Sequence, residues 1–174
     1  MTAFVTSKGQ AMMIRLLPLS IGLLLVLPVQ AEEPLEREAA DSVHVVMHKN
    51  PGCGCCDSWA ENLRSHGFTV ESVEDPGIMG FKAENNVPRP LMSCHTAIID
   101  GYFVEGHVPA SDILRLLKEK PQDVAGLTVP GMPLGSPGME HPRPQDFNTI
   151  AVLADGKAYV IFESHKAGED FSAQ

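Results

Sequence analysis

Three thiols within four residues, Cys53-Gly54-Cys55-Cys56, are the feature of this 174-residue chain best suited to do chemistry. Thiolates are both nucleophiles and soft-metal ligands. Loops this short constrain almost nothing in an unfolded chain, so the cluster makes a poor structural staple. Cys53 and Cys56 form the C-x-x-C of a redox turn, with Cys53 as nucleophile and Cys56 as resolving thiol in thiol–disulfide exchange. Cys53 with Cys55 is a C-x-C and Cys55 with Cys56 a vicinal pair, which a simple dithiol enzyme does not need. Zinc sites are usually built from two separated knuckles, and the second is missing here. Copper(I) accepts two or three soft ligands, so neighbouring thiolates supplemented by methionine suit it better. So many sulfurs can also bridge more than one ion. The fourth cysteine, Cys94, is followed by His95. That pair reads as a buried free thiol beside a surface histidine, as a disulfide partner for the cluster, or as further soft ligands.

These residues need elements to position them. Val43 to His48 is a β-branched run and predicts a strand, which Asn50-Pro51-Gly52 breaks. From Cys56 to His66 the apolar residues Cys56, Trp59, Ala60 and Leu63 recur at helical spacing, and Gly67 ends the helix. The cysteines thus fall at a helix N-terminus, where free N–H groups favour thiolate. Phe68 to Val73 predicts a second strand, completing a βαβ unit. A weakly amphipathic stretch covers Ile78 to Asn85, and Val87-Pro88-Arg89-Pro90 is expected to be extended. Thr96 to Asp100 and Tyr102 to Val104 predict a hairpin. Ser111 is the expected cap of a helix that Pro121 stops.

Residues 122–145 are rich in glycine and proline, so neither helix nor central strand is expected there. Their core, Val129 to Met139, has little charge and reads as a loop lying against the domain, with Met132 and Met139 as outer ligands, a lid, or packing. Thr149 to Leu153 and Lys157 to Phe162 predict a final hairpin around Asp155-Gly156, followed by a frayed tail after His165. Of the other polar candidates, His107 reads as a ligand or as nothing, and at most one of Met47 and His48 faces the cluster. His44, His66, His141 and His165 are expected at the surface, and Trp59 in the core.

The chain opens with Lys8 and Arg15, a 14-residue apolar run from Leu16 to Val29, and the small-residue site Val29-Gln30-Ala31, the pattern of a secretory leader. A span needs roughly 20 apolar residues, so an anchor fits less well. Lys8 and Arg15 are the only charged residues before Glu32, so after cleavage all 22 acidic residues face 11 of the 13 basic ones, a net −11. That sign argues against nucleic acid and anionic membrane as partners and suits a protein that meets cations.

The order of strand, cysteine turn, helix, strand, proline segment, hairpin and helix resembles a thioredoxin-like domain. In such domains the residue before the third strand is usually a cis-proline, and His95 stands in that place with Cys94 beside it. Cys53-Gly54-Cys55-Cys56, Cys94-His95 and the Val129–Met139 segment together resemble the CopG-like copper-resistance family of periplasmic metal-binding proteins. The resemblance implies an α/β fold: a thioredoxin-like metal-binding domain over residues 42–120, and an extension over 121–174 with the Gly-Met-Pro loop and a β-hairpin, preceded by a leader (1–31) and a lead-in (32–41). It implies copper(I) held by Cys53, Cys55, Cys56, Cys94 and His95, with copper redox as an added activity and other periplasmic copper-handling proteins as partners. A thiol–disulfide oxidoreductase, a passive copper carrier and a purely structural cluster are the rival expectations.

Overall fold

The β-branched run ahead of the cysteines becomes β1 (His44–Lys49), which pairs in parallel with β2 (Thr69–Glu74) across the helix α1 (Gly54–Ser65). The computed structural model describes residues 42–172, so the expected leader and lead-in lie outside the described residues. No helix among the described residues is long and apolar enough to cross a membrane. On its other side β1 pairs antiparallel with β3 (His95–Ile99), which continues into β4 (Tyr102–Glu105). Between β2 and β3 lies the short helix α2 (Ile78–Glu84). The proline segment is not simply extended: Arg89–Leu91 closes into a 3-10 turn once Pro88 has entered it in the β region.

Helix α3 (Ala110–Glu119) begins one residue after Pro109, so Ser111 lies inside the first turn instead of capping it. The fixed φ of Pro109 sets the backbone for the helix start. The expectation of a continuous loop from 122 to 145 is also corrected. Val124–Thr128 forms β5, parallel to β4, and its Gly126 lies where a Cβ would be 2.2 Å from the Phe103 carbonyl oxygen. Glycine is there to let two backbones approach, not to break a strand. The final hairpin, β6 (Phe147–Leu153) and β7 (Tyr159–His165), extends the same sheet. The result is a mixed α/β fold with one seven-stranded sheet, ordered β2-β1-β3-β4-β5-β6-β7.

Side-chain alternation divides the core between the two faces of that sheet. Met47, Ala97, Val104, Leu127 and Ala151 meet the stripes of α1 (Cys56, Trp59, Leu63) and α3 (Ile113, Leu116). Phe103 and Val152 point the other way, to Val87 and Leu91.

The C-terminal tail is docked, contrary to expectation, and His165 is buried. Its two ring nitrogens face two carboxylates, Asp112 of α3 and Glu169 of the tail, each at 2.9 Å. Thr149 donates to the same Asp112 oxygen at 2.6 Å, and Phe171 packs on both His165 and Phe147. Because an acceptor opposes each nitrogen, the doubly protonated imidazolium is the form that satisfies them. Burial works against the charge, but the hydrogen bonds that the ring donates to Asp112 and Glu169 outweigh it and raise the His165 pKa above the ordinary value. This contribution to stability is complete below the unfolded histidine pKa of roughly 6.5 and is lost as pH rises through the higher folded value. Charge-assisted bonds of this kind are worth about 1.5–3 kcal/mol. Thermal unfolding of the wild type is therefore expected to lose several degrees relative to His165→Gln between pH 5.5 and 8. A pH-independent difference between the two would contradict the clasp.

Candidate metal centre

The site is built where β1 ends and β3 begins. The antiparallel register places Lys49 opposite His95, so the turn that follows β1 arches over the start of β3. Cys53 is the N-cap of α1 and makes no side-chain cap of its own, which leaves its sulfur beside the free N–H groups of the first turn. Lys49 anchors the turn through Asp57 at 3.1 Å and Glu74 at 3.3 Å.

Within this frame the sulfurs of Cys53, Cys55, Cys56 and Cys94 all lie within 4.8 Å of one another. Cys56 is fully buried, and the other three are partly exposed. Cys53 and Cys56 are joined as a disulfide, while Cys55 and Cys94 are free thiols. A second group shares one member with the first: Cys94, His95 and His107 bring their ligand atoms within 4.8 Å. Cys94 Sγ stands 3.3 Å from His95 Nδ1 and 3.1 Å from His107 Nε2.

The two histidines are prepared differently. His107 Nδ1 lies 2.8 Å from the Pro137 carbonyl. A carbonyl only accepts, so Nδ1 carries the proton and the Nε2 lone pair is turned toward Cys94. A histidine ligand is oriented in this way by its outer-shell partner. His95 is fully buried between the Trp59 ring at 4.4 Å and the His107 ring at 5.1 Å, and its Nε2 has no hydrogen-bond partner. Burial, followed by the neighbouring His107 and Lys82, holds the His95 pKa well below the ordinary imidazole range. Burial also lowers His107, against the opposing effect of the Pro137 carbonyl. Both rings are therefore neutral donors. Burial pushes the Cys94 thiol up to about 12, and nearby Cys55 adds to the shift. Without a metal, Cys94 keeps its proton at neutral pH.

The Gly-Met-Pro segment packs directly on this centre. At Gly138 (φ +79°) a Cβ would lie 2.5 Å from the Trp59 nitrogen and 2.8 Å from the Cys55 carbonyl oxygen, so the loop rests on the backbone of α1. Met139 is half-buried on that loop, and Met132 is 54% exposed. Met47 is core, and His48 stacks on Phe81 while bonding Asp75. Trp59 is core as expected, and its Nε1–H also donates to the Val108 carbonyl, tying α1 to the segment that carries His107. The sequence left His107, in a Gly-His-Val-Pro turn just after the hairpin, as a ligand or as nothing; its meeting with Cys94 is set by the fold.

A neutral imidazole pair and the free thiols of Cys55 and Cys94, joined by Cys53 and Cys56 once their disulfide is reduced, surround a buried nitrogen with no partner and fit a soft cation well. Fold and site together define a small α/β protein with a thiol-rich centre able to hold metal. The family model described as "Protein of unknown function, DUF411" matches residues 91–139, which carry Cys94, His95, His107 and the Gly-Met-Pro loop. No curated protein matches. Two solved structures do. "Copper resistance protein copG- Form 1" is 37% identical, with TM-score 0.68, covering 72% of this chain and 99% of that one. "Copper resistance protein copG- Form 2" is 38% identical, with TM-score 0.68, covering 71% and 98%. The chain belongs to the CopG copper-resistance family.

Proposed function

We propose that this protein binds copper(I) in the periplasm as part of copper tolerance, using Cys53, Cys55, Cys56, Cys94, His95 and His107. The observation that carries the reading is that Cys94 belongs both to the four-sulfur group and to the sulfur–imidazole group. A dithiol enzyme has no use for that arrangement, whereas a soft cation is well served by it. Met139 and Met132 serve as outer thioethers on the rim. The order β2-β1-β3-β4, with β1 and β2 parallel around α1, supports a thioredoxin-like core for residues 42–120. The leader-like pattern of residues 1–31, with Lys8 and Arg15 ahead of the apolar run Leu16 to Val29, supports export.

Copper redox follows from the same residues. Reduced Cys53 and Cys56 give up two electrons on forming their disulfide. Two copper(II) ions accept them to become two copper(I) ions, and two protons are released. The remaining thiols and imidazoles favour the copper(I) product. Anaerobic titration of the reduced protein with copper(I) against a competing chelator tests the binding. At least one tightly held equivalent is expected, and the absence of competitive binding would overturn the reading.

One observation favours a second reading, thiol–disulfide exchange: the Cys53–Cys56 disulfide itself, with Cys56 buried and Cys53 accessible. Disulfide reduction on a protein substrate that survives both chelation and loss of Cys94 would support this alternative.

A further inference from the structure

On the sheet face away from the cysteines, a buried ion pair grips the segment that carries Cys94 and His95. Side chains alternate along β3, so Ala97 packs with the α1 and α3 stripes while Ile98 packs on the opposite cluster. Thr96 shares the side of Ile98. Here Lys82 of α2 meets Glu105 of β4 at 2.6 Å, with side chains 2% and 0% exposed. Glu105 Oε1 accepts the Ser93 backbone N–H at 2.5 Å, and Oε2 accepts the Thr96 hydroxyl at 2.5 Å. Lys82 Nζ also donates to Thr96 Oγ1 at 2.8 Å. Ser93 and Thr96 are the two residues that flank the Cys94-His95 dipeptide. Gly106, next to Glu105, donates its N–H to the His95 carbonyl at 3.0 Å.

Stability is weak grounds for such a pair. Desolvating two charges costs about as much as their attraction returns, and apolar residues of similar volume would dock α2 equally well. What an apolar pair cannot do is hold a backbone N–H and a hydroxyl in fixed directions. We propose that Lys82 and Glu105 are positioning residues that fix Cys94 and His95 from behind, so that both ligands are in place before copper(I) arrives. The inference rests on the copper reading above.

The test compares the reduced wild-type protein with Lys82→Met/Glu105→Leu, each with and without Cys94→Ser, by copper(I) competition. Loss of an outer-shell partner typically costs about 10–100-fold in metal affinity, and that loss is expected here. In the charge-free background Cys94→Ser is expected to cost much less than it does in the wild-type background, because Cys94 is already displaced. A purely structural role would lower the unfolding temperature but leave the full cost of Cys94→Ser intact. If the charge-free protein is folded, binds as wild type and still suffers the full loss from Cys94→Ser, the inference is overturned while the copper reading stands. If the wild type binds no copper(I), the copper reading itself fails. If the charge-free protein does not fold, Thr96→Val and Thr96→Ser carry the test. About a tenfold loss is expected for valine, with recovery for serine. Equal affinity in both and in wild type would overturn the inference.

Discussion

Cys94→Ser is expected to weaken copper(I) binding by more than the roughly 10–100-fold that an outer-shell partner is worth, the largest loss of any single thiol replacement. Cys94 is the one residue common to both ligand groups, 3.1 Å from His107 Nε2 and 3.3 Å from His95 Nδ1. Removing its sulfur disconnects the imidazoles from the remaining thiolates, whereas removing Cys55 leaves that connection intact. The substitution is nearly isosteric at a partly exposed position, so the fold should survive and the loss reports on the site. The same residue predicts proton release. Its thiol is held up to about 12, so it is protonated until a cation displaces the proton. Calorimetry in two buffers of different ionisation enthalpy should show one more proton released by wild type than by Cys94→Ser at neutral pH. Equal affinity and equal proton release would remove Cys94 from the site and return the Cys53–Cys56 dithiol to first place.

Gly138→Ala carries the second large effect, although the residue is no ligand. Its Cβ would lie 2.5 Å from the Trp59 nitrogen, 2.8 Å from the Cys55 carbonyl oxygen and 3.0 Å from the Ser58 carbonyl carbon. These are backbone atoms of α1, which cannot turn aside as a flexible side chain would. The loop must lift instead, and it takes with it the Pro137 carbonyl that orients His107. Overpacking and the positive φ together suggest about 2–4 kcal/mol of destabilisation. Loss of the His107 partner adds a fall in copper(I) affinity of about 10–100-fold. Gly131→Ala is the control. Gly131 also has a positive φ of +70°, yet a Cβ there meets nothing within 4 Å. Its substitution should cost backbone strain of about 1–2 kcal/mol and leave copper affinity unchanged. If both variants bind copper alike, the loop does not orient the site.

The elements around the centre were legible because local pattern dictates them. The β-branched run of β1, the spacing of Cys56, Trp59 and Leu63 in α1, and the hairpin around Gly101 are each encoded within a few residues. Strand β5 was not legible. Gly126 reads as a breaker until Phe103 is seen against it, and only strand pairing brings Phe103 there. His165 failed for a similar reason. Nothing near it in sequence predicts burial, which comes from Asp112, 53 residues away, and from the tail folding back.

The centre divides along the same line. Sequence alone determined the soft-donor chemistry, since Cys53, Cys55 and Cys56 are adjacent by covalent connection and their place ahead of an amphipathic stripe puts them at a helix N-terminus. Tertiary structure decided what joins them. The antiparallel register of β1 and β3 brings His95 beside the turn, the return from β4 brings His107 to Cys94, and the glycine loop fixes which His107 nitrogen is free. Lys82 and Glu105, 23 residues apart, become a pair only when α2 packs on the sheet. Contacts between distant residues depend on how strands and helices pack. A single chain reveals residue types and local periodicity, but not which of its far-apart side chains the fold will place within 3 Å of one another.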